Sequence, residues 1–404
     1  MADVTEPPRE SFRLSQLLYD SRYRSLTIQV VAAMLIMALL VELVDNTVTN
    51  LAALGKDIGF GFLWTTAGYD INQQLIPFSS QDTHARAAVV GILNTLLVAF
   101  LGCILATVIG VLAGVLRLSK NWLIARIMTV YVEAMRNTPL LIWILIVFAV
   151  MTEATPQPRE FREGGSASMI LWDSVAISNR GVYIPRPVWA EGSGLVVAVF
   201  LLSIVGIFAL RWYARRRQEA TGQQLPVLWI SLGLFFVPAL LAYFVMGRPV
   251  SLEYPELGGF NFTGGVQIRN SFIALWLALS LYTSAFIAEI VRAGILAVSK
   301  GQTEASFALG LQPNRTMQLI ILPQALRVII PPLISQYLNL TKNSSLAIAV
   351  GYMDVRSTLG GITINQTGRE LEGMLLLGIF YLITSLIISA LMNLYNSSVK
   401  LKER

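Results

Sequence analysis

Ser299-Lys-Gly-Gln-Thr-Glu-Ala-Ser-Phe-Ala-Leu-Gly310-Leu-Gln-Pro-Asn-Arg-Thr-Met-Gln-Leu-Ile-Ile-Leu-Pro323 is a polar, irregular stretch between two long apolar runs. Ser299 with Gln302 has the spacing of a capping box, Gly310 stands where a left-handed residue stops a helix, and Pro313 suits the opening of the next piece. The stretch therefore predicts a short helix, a sharp turn and a second helix between two hydrophobic spans. An ordinary amphipathic interhelical loop is the competing reading, but it gives no reason for Gly310 and Pro323 to stand at those places.

Outward from this stretch the chain is apolar: of 404 residues, 55% are hydrophobic and 13% charged, with a mean hydropathy of +0.63. Several runs reach the roughly 20 residues that cross a bilayer, which predicts an all-α polytopic membrane protein. Eight spans are expected, near residues 25–44, 87–116, 121–151, 194–210, 226–246, 271–291, 325–350 and 374–395. The third should break at Thr138-Pro139, because a residue before proline is pushed out of the helical region. A straight helix over that stretch would measure about 46 Å, longer than a hydrocarbon layer of about 30 Å, so the break falls within the membrane. The seventh should break at Pro331-Pro332.

The net charge of +6 sits at the ends of apolar runs, not along one face, so it reads as a topology signal and not as a nucleic-acid footprint. Arg9, Arg13, Arg22 and Arg24, then Arg117 and Lys120, then a basic turn with Arg211, Arg215, Arg216 and Arg217, then Lys400, Lys402 and Arg404 mark one side. Eight spans place both termini and the Glu304 stretch on that same, cytoplasmic, side. Arg159, Arg162, Arg180, Arg186, Arg248 and Arg269 fall opposite, mostly in longer loops where the rule weakens. The first apolar run shows no small-residue cleavage site and is read as a retained span.

Composition also excludes chemistry. One cysteine, Cys103, and one histidine, His84, build neither a disulfide framework nor a multi-ligand metal site. No run matches G-x-x-x-x-G-K-[ST], so the chain should not bind ATP itself.

The spacing Glu304-Ala305-Ser306, then Gly310, then Ile320-x-Leu322-Pro323 resembles the EAA loop of ABC-transporter membrane subunits, with Ser306 in place of the second alanine. The resemblance implies a coupling helix that docks into a groove on a separate ATPase, through Gly301, Glu304, Ala305, Ser306, Gly310, Leu311, Leu322 and Pro323. Asn94-Thr-Leu-Leu and Glu133-x-x-Arg136-Asn137-Thr138-Pro-Leu-Leu141 are similar to the polar-amino-acid permeases of the histidine, glutamine and glutamate uptake group. That likeness implies a type I importer (MetI-like) core of five helices, formed by the second, third, sixth, seventh and eighth spans. Residues 1–86 would then precede the core, 87–151 would be its first part, 152–270 an insertion with two extra spans, and 271–404 its second part with a coupling loop at 295–323. Length and insertion resemble a membrane subunit of the general L-amino-acid transporter of Gram-negative bacteria.

What the resemblance implies is ATP-driven import of polar amino acids across the bacterial inner membrane. The partners would be a second permease, identical or related, two copies of an ATPase holding ATP and magnesium, and a periplasmic amino-acid-binding protein, with no cofactor in this chain. The expected pathway residues are Asn94, Glu133, Arg136, Asn137, Thr138, Glu289, Lys342, Asn343 and Ser344. Arg136 either meets a substrate α-carboxylate at the helix break or pairs with Glu133 one turn away. Glu289 and Arg292 read as an ion pair at the membrane edge. Lys342, Asn343 and Ser344 either line the pathway or form an internal brace, while Asn94 suits a helix-to-helix hydrogen bond. Gly110-x-x-x-Gly114 allows a close helix approach but is a common pair in membranes. A secondary transporter would need free intramembrane acids or an inverted repeat, and a membrane enzyme would need a nucleophile and base; neither is visible.

Overall fold

The structure, a computed structural model, describes residues 21–53, 55 and 58–399. Arg9, Arg13, Lys400, Lys402 and Arg404, and the side chain of Arg22, lie outside what it describes. Ten helices organise the described chain: α1 (Ser21–Ala53), α2 (His84–Leu116), α3 (Trp122–Asn137), α4 (Leu140–Glu153), α5 (Ser193–Thr221), α6 (Val227–Val245), α7 (Asn270–Leu296), α8 (Lys300–Ala308), α9 (Leu322–Asn343) and α10 (Glu370–Val399). Among the described residues, seven helices are long and apolar enough to cross a membrane, or eight if α3 and α4 count as one bent span.

α7 is the hub. Two-thirds (67%) of its most apolar window is buried, and α2, α3, α4 and α9 all pack on it. Leu275, Leu279 and Ile287 of α7 share one core with Val98 and Ala106 of α2, Leu140 and Ile144 of α4, and Ile329 of α9. The Gly110-x-x-x-Gly114 pair sits where α2 crosses α7, and a Cβ built on Gly110 would stand 2.6 Å from the Ile287 Cβ. By contrast, the α1 window is wholly exposed, and α5 and α6 pack on each other through Phe200 and Phe235, leaving their outer faces bare. Apolar helix faces of this kind are covered by lipid.

The third apolar stretch breaks where expected: Thr138 is extended (φ −107°, ψ 134°), as its proline neighbour requires, and α3 and α4 meet at 108°. Other expectations change. Pro331 and Pro332 do not break α9, because Ile329, Ile330 and Ile334 are buried on either side and hold the helix through them. The irregularities lie at its ends instead, a wide π turn at Met317–Ile321 and a 3₁₀ stretch at Ser344–Val350. The basic cluster is no turn either; α5 runs on through Arg217 to a left-handed Gly222.

Nor is the insertion purely helical. It carries β1 (Ala176–Ser178), β2 (Gly181–Ile184), β3 (Arg186–Trp189), β4 (Val250–Glu253), β5 (Glu256–Gly258), β6 (Asn261–Thr263) and β7 (Val266–Ile268). They form an antiparallel sheet β1-β2-β7 and two strand pairs, β3 with β4 and β5 with β6. Ala176, Tyr183 and Phe262 make a small core, so this lobe packs by itself at the ends of α4, α5, α6 and α7. Asn270 ties it to the bundle, donating to Met151 O (3.1 Å) and Asn179 O (2.8 Å).

The connection from α9 to α10 docks on α2 through a buried turn. Asp354 caps it, accepting from Ser357 N at 2.8 Å, while its second carboxylate oxygen is buried with no protein partner among the described residues. Burial pushes this carboxyl up to about 6, against hydrogen bonds from Ser357 and the charge of Arg356. The folded chain thus holds the proton more tightly than the unfolded one, so stability is highest below the usual carboxylate value near 4 and falls as pH rises towards 6. Asp354→Asn keeps the cap acceptor; its melting temperature should exceed the parent's at pH 7.5 and match it at pH 4.5, and equal offsets at both pH values would refute this.

Candidate coupling loop and intramembrane polar groups

α8 is nine residues long and closes by backbone bonds alone. Gly310 takes φ +77°, Leu311 N–H reaches Ser306 O (3.1 Å) and Gly310 N–H reaches Phe307 O (2.9 Å), the paired bonds of a Schellman stop. Pro313 then opens a helical turn, Pro313–Thr316. The expected capping box does not form: Ser299 occupies the extended cap position without a side-chain bond, and the Gln302 carbonyl accepts from Gln324 of α9 at 3.3 Å. Ser306 has a task that alanine could not perform. Buried to 1% exposure, its hydroxyl donates to Thr303 O (2.7 Å) and lies 3.0 Å from the Thr316 hydroxyl, clamping α8 to the next turn.

Pro323 stands in the first turn of α9, just after the π turn. It has no N–H to offer, and the turn before it is widened so that Leu322 N–H reaches back to Met317 O. Gly301 is open, with only Ser299 Oγ 3.9 Å from a built Cβ. Glu304 and Ala305 are exposed, and so are Phe307, Leu309 (81%), Met317 and Leu319. Phe307 and Leu309 lie between the candidate spans, so two bare apolar side chains stand on the short α8 segment and have the composition of a contact surface, while Met317 and Leu319 fall within the next candidate span.

The intramembrane candidates divide. Glu289 of α7 joins two arginines, Arg292 at 2.5 Å on its own helix and Arg117 at 2.5 Å from the end of α2. The Arg292 pairing was expected; the Arg117 pairing was not, because it needs the α2–α7 crossing to be known. Glu289→Gln leaves Arg117, only 10% exposed, without its anion. A loss of about 1–3 kcal/mol is expected, read as a lower melting temperature that Arg117→Met in the same chain partly restores; an unchanged midpoint would remove the pair's structural role.

Glu133 and Arg136 form no ion pair among the described residues. Glu133 is exposed and accepts from Asn137 Nδ2 (3.3 Å), while the Arg136 guanidinium lies 5.4 Å from the Phe286 ring centre. Both stand on α3, but Arg136 turns to Phe286 of α7 while Glu133 takes Asn137 on its own helix. Asn94 is no open ligand site: 1% exposed, it donates to Gln73 O (2.8 Å) and Met353 O (2.9 Å), pinning loops to α2 rather than helix to helix. Lys342 is exposed on α9, Asn343 is half-buried, and Ser344 is buried with its hydroxyl on Thr341 O (2.7 Å).

The sequence profile of the family described as binding-protein-dependent transport system inner membrane component matches residues 106–401. A glutamate/glutamine/aspartate/asparagine transport system permease protein, BztB, from Rhodobacter capsulatus is 56% identical over the whole of both chains. The general L-amino acid transport system permease protein AapQ from Rhizobium johnstonii is 45% identical, covering 98% of this chain and 96% of its own. A putative amino-acid ABC transporter permease protein, YhdX, from Escherichia coli is 42% identical over 94% of this chain and 95% of its own.

Proposed function

Because the chain belongs to the family of binding-protein-dependent transport system inner membrane components, we propose that it is a permease subunit of an ATP-driven importer for polar L-amino acids. The observation that carries this reading is end-to-end similarity to BztB and AapQ, insertion included. A separate ATPase supplies the energy, since the chain has no phosphate-cradling loop, and it docks on the bare apolar knuckle of α8. A soluble binding protein delivers substrate on the face of the β lobe, and a second permease, the same or related, completes the pathway. Both termini and the α8 knuckle lie in the cytoplasm on this reading. Arg136, beside the α3–α4 elbow and without a carboxylate partner among the described residues, is the group offered to a substrate carboxylate. Ion-gradient drive is disfavoured by Glu289, whose charge two arginines already balance.

The test is reconstitution in proteoliposomes with the ATPase, the companion permease and the binding protein. Labelled glutamate or glutamine should accumulate only with ATP on the ATPase side and should be indifferent to proton and sodium ionophores. Uptake by this chain alone, collapsed by an ionophore, would overturn the proposal.

A further inference from the structure

The far end of the α5–α6 hairpin carries chemistry that transport does not use. Residues 193–210 of α5 measure about 27 Å, close to a hydrocarbon layer of about 30 Å, which brings Arg211 to the layer's edge. Arg215 and Arg216 follow about 6 Å further along, one turn deeper into the headgroup region. Between this turn and the start of α6 lies a cavity of about 350 Å³, lined by Arg211, Arg215, Gln218 and Gln224 with Ala214 and Val227 as its apolar floor.

Its charge is not balanced from within. Two of the four arginines of this turn, Arg211 and Arg215, line the cavity, and the one nearby acid, Glu219, pairs with Arg215 at 3.2 Å. Arg216 stacks on Trp212 at 4.1 Å and Arg217 donates to Gln223 at 3.0 Å. Arg211 pairs with no carboxylate among the described residues. Directly beyond the cavity α6 presents bare hydrocarbon, with Leu228 67% and Trp229 73% exposed. A ligand with a phosphate and an acyl chain satisfies both surfaces, whereas a free phosphate uses only one.

Sidedness follows from the lobe. α5 and α7 both start at the β lobe and each crosses once, so the arginine cavity and the α8 knuckle emerge on the same face. We infer that this cavity binds the phosphate headgroup of an anionic phospholipid, with the acyl chains lying along α6.

The full chain purified in detergent is titrated with phosphatidylglycerol and, separately, phosphatidylcholine, and bound lipid is counted by native mass spectrometry. Arg211→Gln with Arg215→Gln should weaken phosphatidylglycerol binding about 25-fold, roughly fivefold per arginine, and leave phosphatidylcholine unchanged. Arg211→Lys with Arg215→Lys should bind within about threefold of the parent, which separates lost charge from lost folding. Equal phosphatidylglycerol retention by parent and glutamine variant would overturn the inference. So would displacement of the lipid by inorganic phosphate at equal concentration, or a glutamine variant that keeps its lipid but loses a co-purifying cytosolic protein.

Discussion

Gly310→Leu should leave the protein in the membrane at parental abundance and abolish coupled uptake. The φ of +77° at Gly310 costs an L-residue with a Cβ roughly 1–2 kcal/mol. That is too little to unfold a chain held by a core elsewhere, but enough to move the end of a nine-residue helix whose stop depends on two backbone bonds. With Leu311 no longer reaching Ser306, the Ser306–Thr316 clamp opens and the apolar knuckle is re-aimed. We expect amino-acid uptake at least about tenfold lower, with substrate-stimulated ATP hydrolysis lost in the reconstituted complex. Gly310→Asn should retain most of both, because asparagine tolerates the left-handed region. Normal coupled transport by the leucine variant would show that the knuckle transmits nothing.

The second large effect is structural. Gly110→Ala with Gly114→Ala should sharply lower the yield and the stability of folded protein. At Gly114 a methyl carbon would lie 2.6 Å from Ala288 O; at Gly110 it would lie 2.9 Å from Ser284 O as well as against Ile287. Backbone oxygens have no alternative rotamer, so α2 and α7 must separate, and every helix seated on α7 feels the gap. Overpacking of this kind costs about 1–3 kcal/mol per site, a large share of an ordinary stability of about 5–15 kcal/mol. Monodisperse yield in detergent and the thermal midpoint should both fall. Gly378→Ala on α10, where nothing lies within 4 Å, is the control and should change neither. A double variant as stable as the control would mean that the crossing has slack that the glycines do not reveal.

What was legible in the sequence followed locality. Gly310, Pro313 and the extended Thr138 obey rules set by one residue or its neighbour, and they stand as expected. Span positions came from runs of hydropathy long enough to average out single residues. Features that depend on what lies opposite were not legible. Pro331 and Pro332 read as a break because the packing that holds α9 through them comes from α7. The Ser299–Gln302 box failed because Gln324, 22 residues on, takes the glutamine carbonyl. Arg117 read as a topology signal, and only the α2–α7 crossing turns it into a partner for Glu289. Strands of three or four residues are too short for alternation to announce, so the lobe was invisible. The glycine pair on α2 was visible, but nothing in the sequence distinguished it from the many such pairs that pack loosely.

α7 has no proline, no bulge and no cap within its 27 residues, and neighbours grip it along most of its length. A rod so clamped cannot flex midway, so its two tips share one fate. At its far end Asn270 is bonded to Met151 and Asn179, so a displacement at the α8 end would be passed through these bonds to α4 and the β lobe. On the proposed reading of α8 as the coupling loop, an event at that end of α7 would reach the other end as a tilt rather than as a relay of side-chain rearrangements.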